Sequence, residues 1–475
     1  MGNVDVEKSI VTTAKNDSHV ASRQADAALE YLQTGEVATF SEVEEKQLVR
    51  KIDRMIVPLM WAIYFLQYQD KILINYASVM GLLDDTGMRT DQFSHLALVF
   101  YASYLFFELP TGYLMQRLPT AKYLGLNVTL WGLLTTLNCV AKNFAGLVVL
   151  RVLLGCFESA VAPALILITS MWYRRNEQPK RMGLWYLGTG TATIVGALVA
   201  YGLLFYTADE FYSWQIMFLI FGLHEEKIMA IERLRENRTG IENKQFKWNQ
   251  FLEVFTDPQA YLIAIIVAAS NISNAAISSF SALIIKNFGF TTKETELLTI
   301  PGGVVSVISI LAGTHLAGRF DQRCLCVLGI LGCGLLGGCL MAFAPSDNKG
   351  AMLAGNYLTN CVGSALPLMY SIAGANVAGH TKKVTMNAIV LMSFCLGNIL
   401  GPLSFRTQDE PEYMPAKVAI VATVSVAIMF TGLLKCYYIC ENRRREQNGR
   451  GEQHQKNSEF LDLTDRENLE FRYKH

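Results

Sequence analysis

Charged side chains are scarce in this chain. Asp, Glu, Lys and Arg make up 17% of its 475 residues, whereas soluble proteins carry about a quarter. The sequence also lacks a P-loop, a Rossmann glycine pattern, and HExxH or GxSxG elements in a fitting context. These absences argue against an enzyme and against an ATP-driven pump. The ten cysteines show no metal or disulfide spacing, so no metal or other cofactor is expected.

Hydrophobic residues, by contrast, make up 51% of the chain. This balance indicates that lipid is the main solvent of the folded protein. The 41 basic residues equal the 41 acidic residues in number, so nothing in the overall charge suggests a nucleic-acid partner. The position of each charge along the chain is therefore more informative than the total.

Both ends of the chain are polar. Residues 1–50 lack the basic and then apolar layout of a signal peptide, and we interpret them as a disordered cytoplasmic tail. The segment 441–475 begins with Arg443, Arg444 and Arg445, a basic cluster typical of the cytoplasmic side of a membrane. With both tails in the cytoplasm, the number of membrane crossings must be even.

Long apolar runs fill the middle of the chain. A hydrocarbon core about 30 Å thick needs roughly 20 apolar residues per helix. Eleven runs of this size are predicted to span a membrane, at 55–77, 93–115, 122–141, 145–171, 182–206, 259–283, 297–318, 323–344, 351–374, 384–405 and 415–439. The fold class is therefore an all-α polytopic membrane protein.

A twelfth crossing is expected at a segment that is too short. Trp214 to Leu223 would rise only about 15 Å as a helix. Basic connections such as Arg174, Arg181 and Lys382 fall on one side of the membrane only if this crossing exists. The predicted organisation is a helix bundle at 51–223 with a truncated sixth helix, a cytoplasmic loop at 224–258, a second bundle at 259–440 and a tail at 441–475.

The two bundles share a weak internal similarity. After the second span of each half, the chain reads Gly112 to Arg117 and Thr314 to Arg319, with Arg three residues after Leu in both. A repeat of about six helices is a known transporter architecture. Glu108, near the cytoplasmic mouth of its span, is predicted to make a gate contact rather than to bind a proton.

Two pairs of charged residues stand out among those inside predicted spans. Arg151 and Glu158 are seven residues apart, close to two helical turns, so they share a face and Glu158 is the expected partner of Arg151. The alternative is a static ion pair near a membrane interface. Asp70 and Lys71 are adjacent and cannot face the same way, so each needs its own surroundings. Arg151, Glu158 and Asp70 are the candidates for proton coupling, and Lys71 is a candidate for substrate binding.

Polar stripes run along two later helices. Asn271 and Asn274 lie on one, and Asn356 and Asn360 on the other. These amides are candidates for binding a ligand, although joining neighbouring helices is the alternative. Small residues at Gly188, Ala192, Gly196 and Ala200 form a seam that indicates close packing rather than chemistry.

Four segments resemble the major facilitator superfamily and, within it, the fungal allantoate permease family of anion:cation symporters. They read QDKILINYA around Asp70, RVLLGCFESAVAP from Arg151, NVAGHTKK from Asn376, and GNILGPLSFRTQDEPEYMP from Gly397. The turn from Gly112 to Arg117 resembles the cytoplasmic gate motif of the superfamily, except that Gln116 stands where an acid is usual. This resemblance implies that Gln116, Arg117 and Arg319, together with Glu108, form a gate on the cytoplasmic side.

The resemblance implies a transporter. It implies two six-helix bundles, alternating access, and proton-coupled uptake of a small organic anion such as allantoate, ureidosuccinate, a vitamin carboxylate or a short peptide. A monomer in the plasma membrane is expected. Family members continue through a full sixth span, so roughly 20 residues are missing here. The alternative function is a non-transporting nutrient sensor or an inactive paralogue.

Overall fold

The computed structural model describes residues 42–118, 120–174, 177–206, 211–223, 247–345, 348–409, 413–448, 463–468 and 471–475. All regular elements in these ranges are helices. The first helix, α1, runs Glu42–Val79. It begins before residue 50, so the prediction that the tail reaches that residue is wrong for its last nine positions. Residues 1–41 lie outside the described residues.

The first half of the chain continues with eight further helices. They are α2 (Leu82–Thr86), α3 (Thr90–Arg117), α4 (Thr120–Leu137), α5 (Phe144–Glu158), α6 (Val161–Trp172), α7 (Gln178–Tyr186), α8 (Gly188–Leu203) and α9 (Ser213–Leu223). α9 has 11 residues, about half of a full crossing. The short sixth helix is thus confirmed for the part of the chain that the structure describes.

The second half contains helices α10 to α17. They are α10 (Trp248–Phe255), α11 (Pro258–Asn287), α12 (Thr292–Phe320), α13 (Arg323–Phe343), α14 (Lys349–Thr359), α15 (Ala365–Asn376), α16 (His380–Leu400) and α17 (Met414–Asn448). The predicted central loop 224–258 therefore includes α10. Its residues 224–246 lie outside the described residues.

Eight stretches in the described residues are long and apolar enough to cross a membrane on their own. These comprise α4, the α5–α6 pair, the α7–α8 pair, α11, α12, α13, α16 and α17. The other predicted spans correspond to α1, α3 and the α14–α15 pair. α1 and α3 are less apolar because they carry Asp70, Lys71 and Glu108 into the interior.

We call the side where α1 begins and α17 ends the terminal face, and the opposite side the distal face.

Proline breaks two of these crossings. Pro163 has no N–H to bond the carbonyl four residues earlier, and the helix is interrupted at Ser159 and Ala160. The break lies directly after Glu158. Pro367 has the same effect between α14 and α15, where a short 3₁₀ turn spans Val362–Ser364.

The two halves pack tightly along α8 and α12. A Cβ added to Gly190 would lie 2.8 Å from the carbonyl oxygen of Gly303, and one added to Gly303 would lie 2.9 Å from that of Gly190. Nearer the terminal face, a Cβ on Gly183 would clash with Thr314. The seam of small residues in α8 packs closely against a neighbouring helix, as predicted, since Gly188 faces the backbone of Phe65 in α1. α3 and α16 form a second contact between the halves.

The end of the chain folds back onto the terminal face. We call residues 463–468 and 471–475 the C-terminal strap. Tyr473 exchanges two hydrogen bonds with the side chain of Asn442 through its backbone, at 2.8 and 2.9 Å. Lys474 does the same with Asn376, at 2.7 Å each. The predicted tail 441–475 is therefore not a free tail, because α17 continues to Asn448 and the strap is packed.

Candidate functional site

Two charged residues of α1 meet two charged residues of α5 inside the first half. The ammonium of Lys71 lies 3.1 Å from Glu158 Oε1, and Arg151 Nη1 lies 3.8 Å from Asp70 Oδ2. Asp70, Arg151 and Glu158 are buried, and the Lys71 side chain is 10% exposed. We call these four residues the membrane cluster. Two acids and two bases leave it with no net formal charge.

The pairing differs from the one predicted. Glu158 does not pair with Arg151, because α1 places one charged residue beside each of them. Arg151 and Glu158 are two turns apart along α5, about 10 Å. This distance leaves room for Asp70 beside Arg151 and for Lys71 beside Glu158. Asp70 and Lys71 do reach different partners, as expected of adjacent residues on a helix.

Much of the hydrogen-bonding capacity of the membrane cluster is unused within the described residues. Asp70 Oδ1 accepts a hydrogen bond from Thr135 at 3.3 Å. Asp70 Oδ2, Arg151 Nε and Nη2, and both oxygens of Glu158 have no hydrogen-bond partner there. The contact between Lys71 and Glu158 is thus an ion pair without hydrogen-bond alignment. The buried amide of Gln67 is also unpartnered. Such groups can still bind a polar ligand or a proton.

The membrane cluster lies at the boundary between the halves. Lys71 Nζ is 5.5 Å from the ring centroid of Tyr104 and 5.4 Å from that of Phe394, which belongs to α16 of the second half. Gly155 lets α5 pack closely against α3, which carries Tyr104, because a Cβ there would lie 2.4 Å from the carbonyl oxygen of Phe100. A ligand of Lys71 would therefore be in reach of both halves.

A cavity of about 70 Å³ lies on the terminal side of the membrane cluster. Glu108 of α3, Pro163 of α6, and His380 and Asn387 of α16 help to line it. Glu108 is 2% exposed, and its Oε2 has no hydrogen-bond partner among the described residues. The predicted gate residue Glu108 thus faces a space between the halves.

A smaller cavity of about 30 Å³ lies on the distal side. Tyr68, Asn75 and Tyr76 of α1, Thr299 of α12, and Asn360 are among its lining residues. Neither cavity is lined by a member of the membrane cluster. The cluster is therefore enclosed between two cavities rather than open to either.

The four candidate asparagines fall into two groups. Asn360 lines the distal cavity. Asn356 bonds to Ser281 at 3.1 and 3.2 Å, Asn271 donates to the carbonyl of Val267 in its own helix, and Asn274 lies against Gly363. Asn356 therefore joins two helices, and Asn271 and Asn274 line neither of these two cavities, so ligand binding by the asparagines stays a prediction.

The remaining gate candidates lie at the terminal face. Arg117 is exposed and stacks 5.2 Å from the ring of Tyr113. Arg319 is exposed beside Phe320, at 5.8 Å. The side chain of Gln116 lies outside the described residues. None of these contacts joins the two halves.

A second set of buried charges lies at the terminal face, and sequence reasoning missed it. Lys382 is fully buried, and its ammonium lies 2.7 Å from Asp465, 2.9 Å from Asp257 and 2.9 Å from Glu253. Asp465 also accepts a hydrogen bond from Tyr473, at 2.8 Å. We call Lys382, Glu253, Asp257 and Asp465 the terminal-face cluster. The residues that form it are separated by up to about two hundred positions, so no local spacing could reveal it.

Glu296 was also missed. It is fully buried in α12, and neither of its oxygens has a hydrogen-bond partner within the described residues. In the sequence it lies in a polar stretch before an apolar run, where an exposed acid is the ordinary interpretation. Its position one turn before Thr299 is the only local signal that it faces the interior.

Residues 60–402 match the model of the Major Facilitator Superfamily. The chain is 34% identical to the thiamine pathway transporter THI73 of Saccharomyces cerevisiae, covering 99% of this chain and 98% of that protein. It is 31% identical to the allantoate permease of the same yeast, covering 95% and 90%. A solved structure, the fucose:proton symporter of E. coli, shares the fold at a TM-score of 0.61 and 14% identity, covering 80% of this chain and 99% of that one.

The alignment with the thiamine pathway transporter extends over 518 positions, more than the 475 residues of this chain. That relative therefore has residues that this chain lacks. Both yeast relatives are named as a transporter or a permease, in agreement with the expectation that this protein is not an enzyme.

Proposed function

The chain belongs to the Major Facilitator Superfamily of membrane transporters, and we propose that it takes up a small organic anion together with a proton. The observation that carries this proposal is the membrane cluster, with two acids, two bases and unused hydrogen-bonding capacity at the boundary between the halves. Buried charges are costly, and in membrane proteins they commonly serve a ligand or a coupling ion.

The cations of the membrane cluster are the proposed anion site. A substrate carboxylate that binds Lys71 or Arg151 competes with Glu158 or Asp70 for the same cation. The acid that loses its partner is then an ionised group in a buried site, and it becomes neutral by taking up a proton. One anion and one proton together leave the formal charge of the cluster at zero, which is the basis of the coupling.

Transport then requires the cluster to face each side in turn. The two cavities mark the paths by which the halves would separate, one toward each face of the membrane. The halves would rock about the contacts of α8 with α12 and of α3 with α16. We assign the terminal face to the cytoplasm, since Arg443, Arg444 and Arg445 lie there. The plasma membrane and a monomer remain part of the proposal.

The name of one relative narrows the substrate class. Allantoate is a ureide that carries one carboxylate, and the relative named for it is 31% identical to this chain. A carboxylate suits the cations of the cluster, and the amides and hydroxyls near it suit the polar remainder of such a molecule. We therefore place ureide acids first, and vitamin carboxylates and short peptides next.

An uptake panel tests the proposal. The full chain is expressed in a permease-deficient cell and offered radiolabelled ureides, vitamin carboxylates and dipeptides at acidic and at neutral pH. We expect one class to accumulate faster at acidic pH and to stop accumulating when an uncoupler is added. Glu158→Gln should lose accumulation and retain exchange of internal for external substrate. Unchanged accumulation in Glu158→Gln would refute the role assigned to that residue.

A second candidate function is a non-transporting nutrient sensor or an inactive paralogue. It is favoured by the 11 residues of α9, half a membrane crossing. If no member of the panel is taken up by a chain that reaches the membrane, this candidate is preferred.

A further inference from the structure

Glu296 lies where the two halves close at the distal side. It is carried by α12 of the second half, which packs against α8 of the first half. Thr299, one turn further along the same face of α12, lines the distal cavity together with Tyr76. The carboxyl group is therefore adjacent to this cavity, one turn nearer the distal face.

The distal side is closed by aromatic contacts, one of which joins the two halves. Phe93 of α3 contacts Phe280 of α11 across the halves, with ring centroids 6.0 Å apart, and Phe280 stacks on Phe405 at 4.3 Å. All three rings are buried. Glu296 is 0% exposed, as is its neighbour Thr295. The carboxyl group of Glu296 is therefore out of contact with water in this arrangement.

No cation neutralises Glu296 within 4.0 Å among the described residues. Lys293, on the same helix, lies over the ring of Phe205 at 4.1 Å. Beyond the membrane cluster, the titratable or charged groups toward the distal ends of α1, α8, α11, α12 and α14 are Tyr68, Tyr76, Tyr201, Lys286, Lys293, Glu294, Lys349 and Tyr357. Both carboxyl oxygens also lack hydrogen-bond partners there. An ionised carboxylate in this position would be buried with neither a counter-charge nor a donor.

We infer that Glu296 is a second proton-binding site, separate from the membrane cluster, and that it controls closure of the distal side. The neutral acid fits the closed arrangement, whereas the ionised acid requires water and so favours the open one. Proton binding and distal closure are then linked, and closure is favoured as the pH falls. This inference rests on the proposed function, in which the distal side faces the outside of the cell.

Cysteine accessibility tests the link without any substrate. Ser278 lines the distal cavity, and Ser278→Cys is labelled from outside with a membrane-impermeant methanethiosulfonate cation in intact cells. The parent chain without this cysteine gives the background from native thiols. Because acid also slows the thiol reaction itself, the measured quantity is the ratio of labelling rates between two variants at the same pH.

At neutral pH, Ser278→Cys should be labelled about tenfold faster with Glu296 present than in the Glu296→Gln background. The reason is that binding of one proton can shift the equilibrium between the open and the closed distal side by up to tenfold per pH unit. At acidic pH the two rates should converge. Equal rates at neutral pH would overturn the inference.

Two controls separate titration from structure. Thr295→Val removes a buried polar atom next to Glu296 but no acid. In this background, Ser278→Cys should be labelled at the same rate as in the parent. Glu296→Asp keeps a titratable group and should label like the parent at neutral pH. If Glu296→Asp closes the site as Glu296→Gln does, the effect is one of packing and the inference fails. Because the assay needs no uptake, it can succeed even if the proposed substrate class is wrong.

Discussion

The membrane cluster and the terminal-face cluster are both buried sets of four charged residues, yet they are built differently. In the terminal-face cluster, Lys382 lies within 2.9 Å of three acids, and Asp465 has a further donor in Tyr473. In the membrane cluster, the contacts of Arg151 and Lys71 are longer at 3.8 and 3.1 Å, and most polar atoms lack hydrogen bonds within the described residues. Burial of charge is common to both, so burial alone does not identify a functional site.

The difference lies in hydrogen bonding. A buried ion pair persists when its remaining donors and acceptors are satisfied. The terminal-face cluster meets this condition, and it joins α10, α11 and α16 to the C-terminal strap. The membrane cluster does not meet it, which leaves its charges able to exchange partners. We therefore expect the terminal-face cluster to determine stability and the membrane cluster to determine transport.

The largest effect on stability is expected from Lys382→Met. This change leaves three acids close together in a buried site without their common cation, at a cost of about 3 to 5 kcal/mol in the free energy of unfolding. Thermal unfolding of the purified protein in detergent measures the loss. Lys349→Met, at an exposed lysine, is the matched control and should change little. A Lys382→Met protein as stable as the control would contradict the structural role.

A smaller loss is expected from Tyr473→Phe. The hydroxyl donates to Asp465 and accepts from Arg445 Nη2 at 3.0 Å, and removing hydrogen bonds to charged groups costs about 2 kcal/mol. Burial, and then the adjacent Asp465 carboxylate, raise the pKa of Tyr473 well above its usual range. Its raised folded-state pKa means that this stabilisation is fully present below about pH 10, the unfolded value, and is lost as the pH rises through the folded value.

The stability difference between Tyr473→Phe and the parent should therefore be the same at acidic and neutral pH and should shrink only in strong alkali. Unfolding curves of both proteins across this range measure it. A difference that already disappears between acidic and neutral pH would show that another group controls the strap.

The smallest effect on stability is expected from Glu158→Gln, about 1 kcal/mol. The amide keeps the shape of the carboxyl group, the lost ion pair was not aligned as a hydrogen bond, and Lys71 retains the rings of Tyr104 and Phe394. The same unfolding assay measures this change. If Glu158→Gln unfolds as readily as Lys382→Met, the membrane cluster is a static structural ion pair, the alternative that the sequence left open, and the contrast between the clusters disappears.

The fold was largely predictable because its signals are local. Each of the eleven full spans corresponds to a helix or to a pair of consecutive helices, and the short crossing at Trp214 to Leu223 is α9. The boundaries near residues 50 and 441 were less predictable, because the helices α1 and α17 extend past the apolar runs into polar sequence, where no change in composition marks their ends.

The candidate site was predictable only in part. Asp70, Lys71, Arg151 and Glu158 stand out because charges are rare in apolar runs, but their pairing depends on how α1 lies beside α5. Asn271 and Asn356 have the same appearance in sequence as Asn360, and only the structure shows that Asn271 donates within its own helix, that Asn356 joins two helices and that Asn360 lines the distal cavity. The gate residues Arg117 and Arg319 remain predictions, since their contacts with Tyr113 and Phe320 are local.

The sequence by itself determined that this protein is a helical membrane transporter with a short sixth helix, since hydrophobic length and rare charges act within single helices. Only the tertiary structure decided which of those charges are satisfied. Glu296 is buried without a hydrogen-bond partner among the described residues, whereas Lys382 donates to Asp465 across more than eighty positions. Hydrogen bonds of this kind depend on distances between helices, which no spacing along a single chain contains.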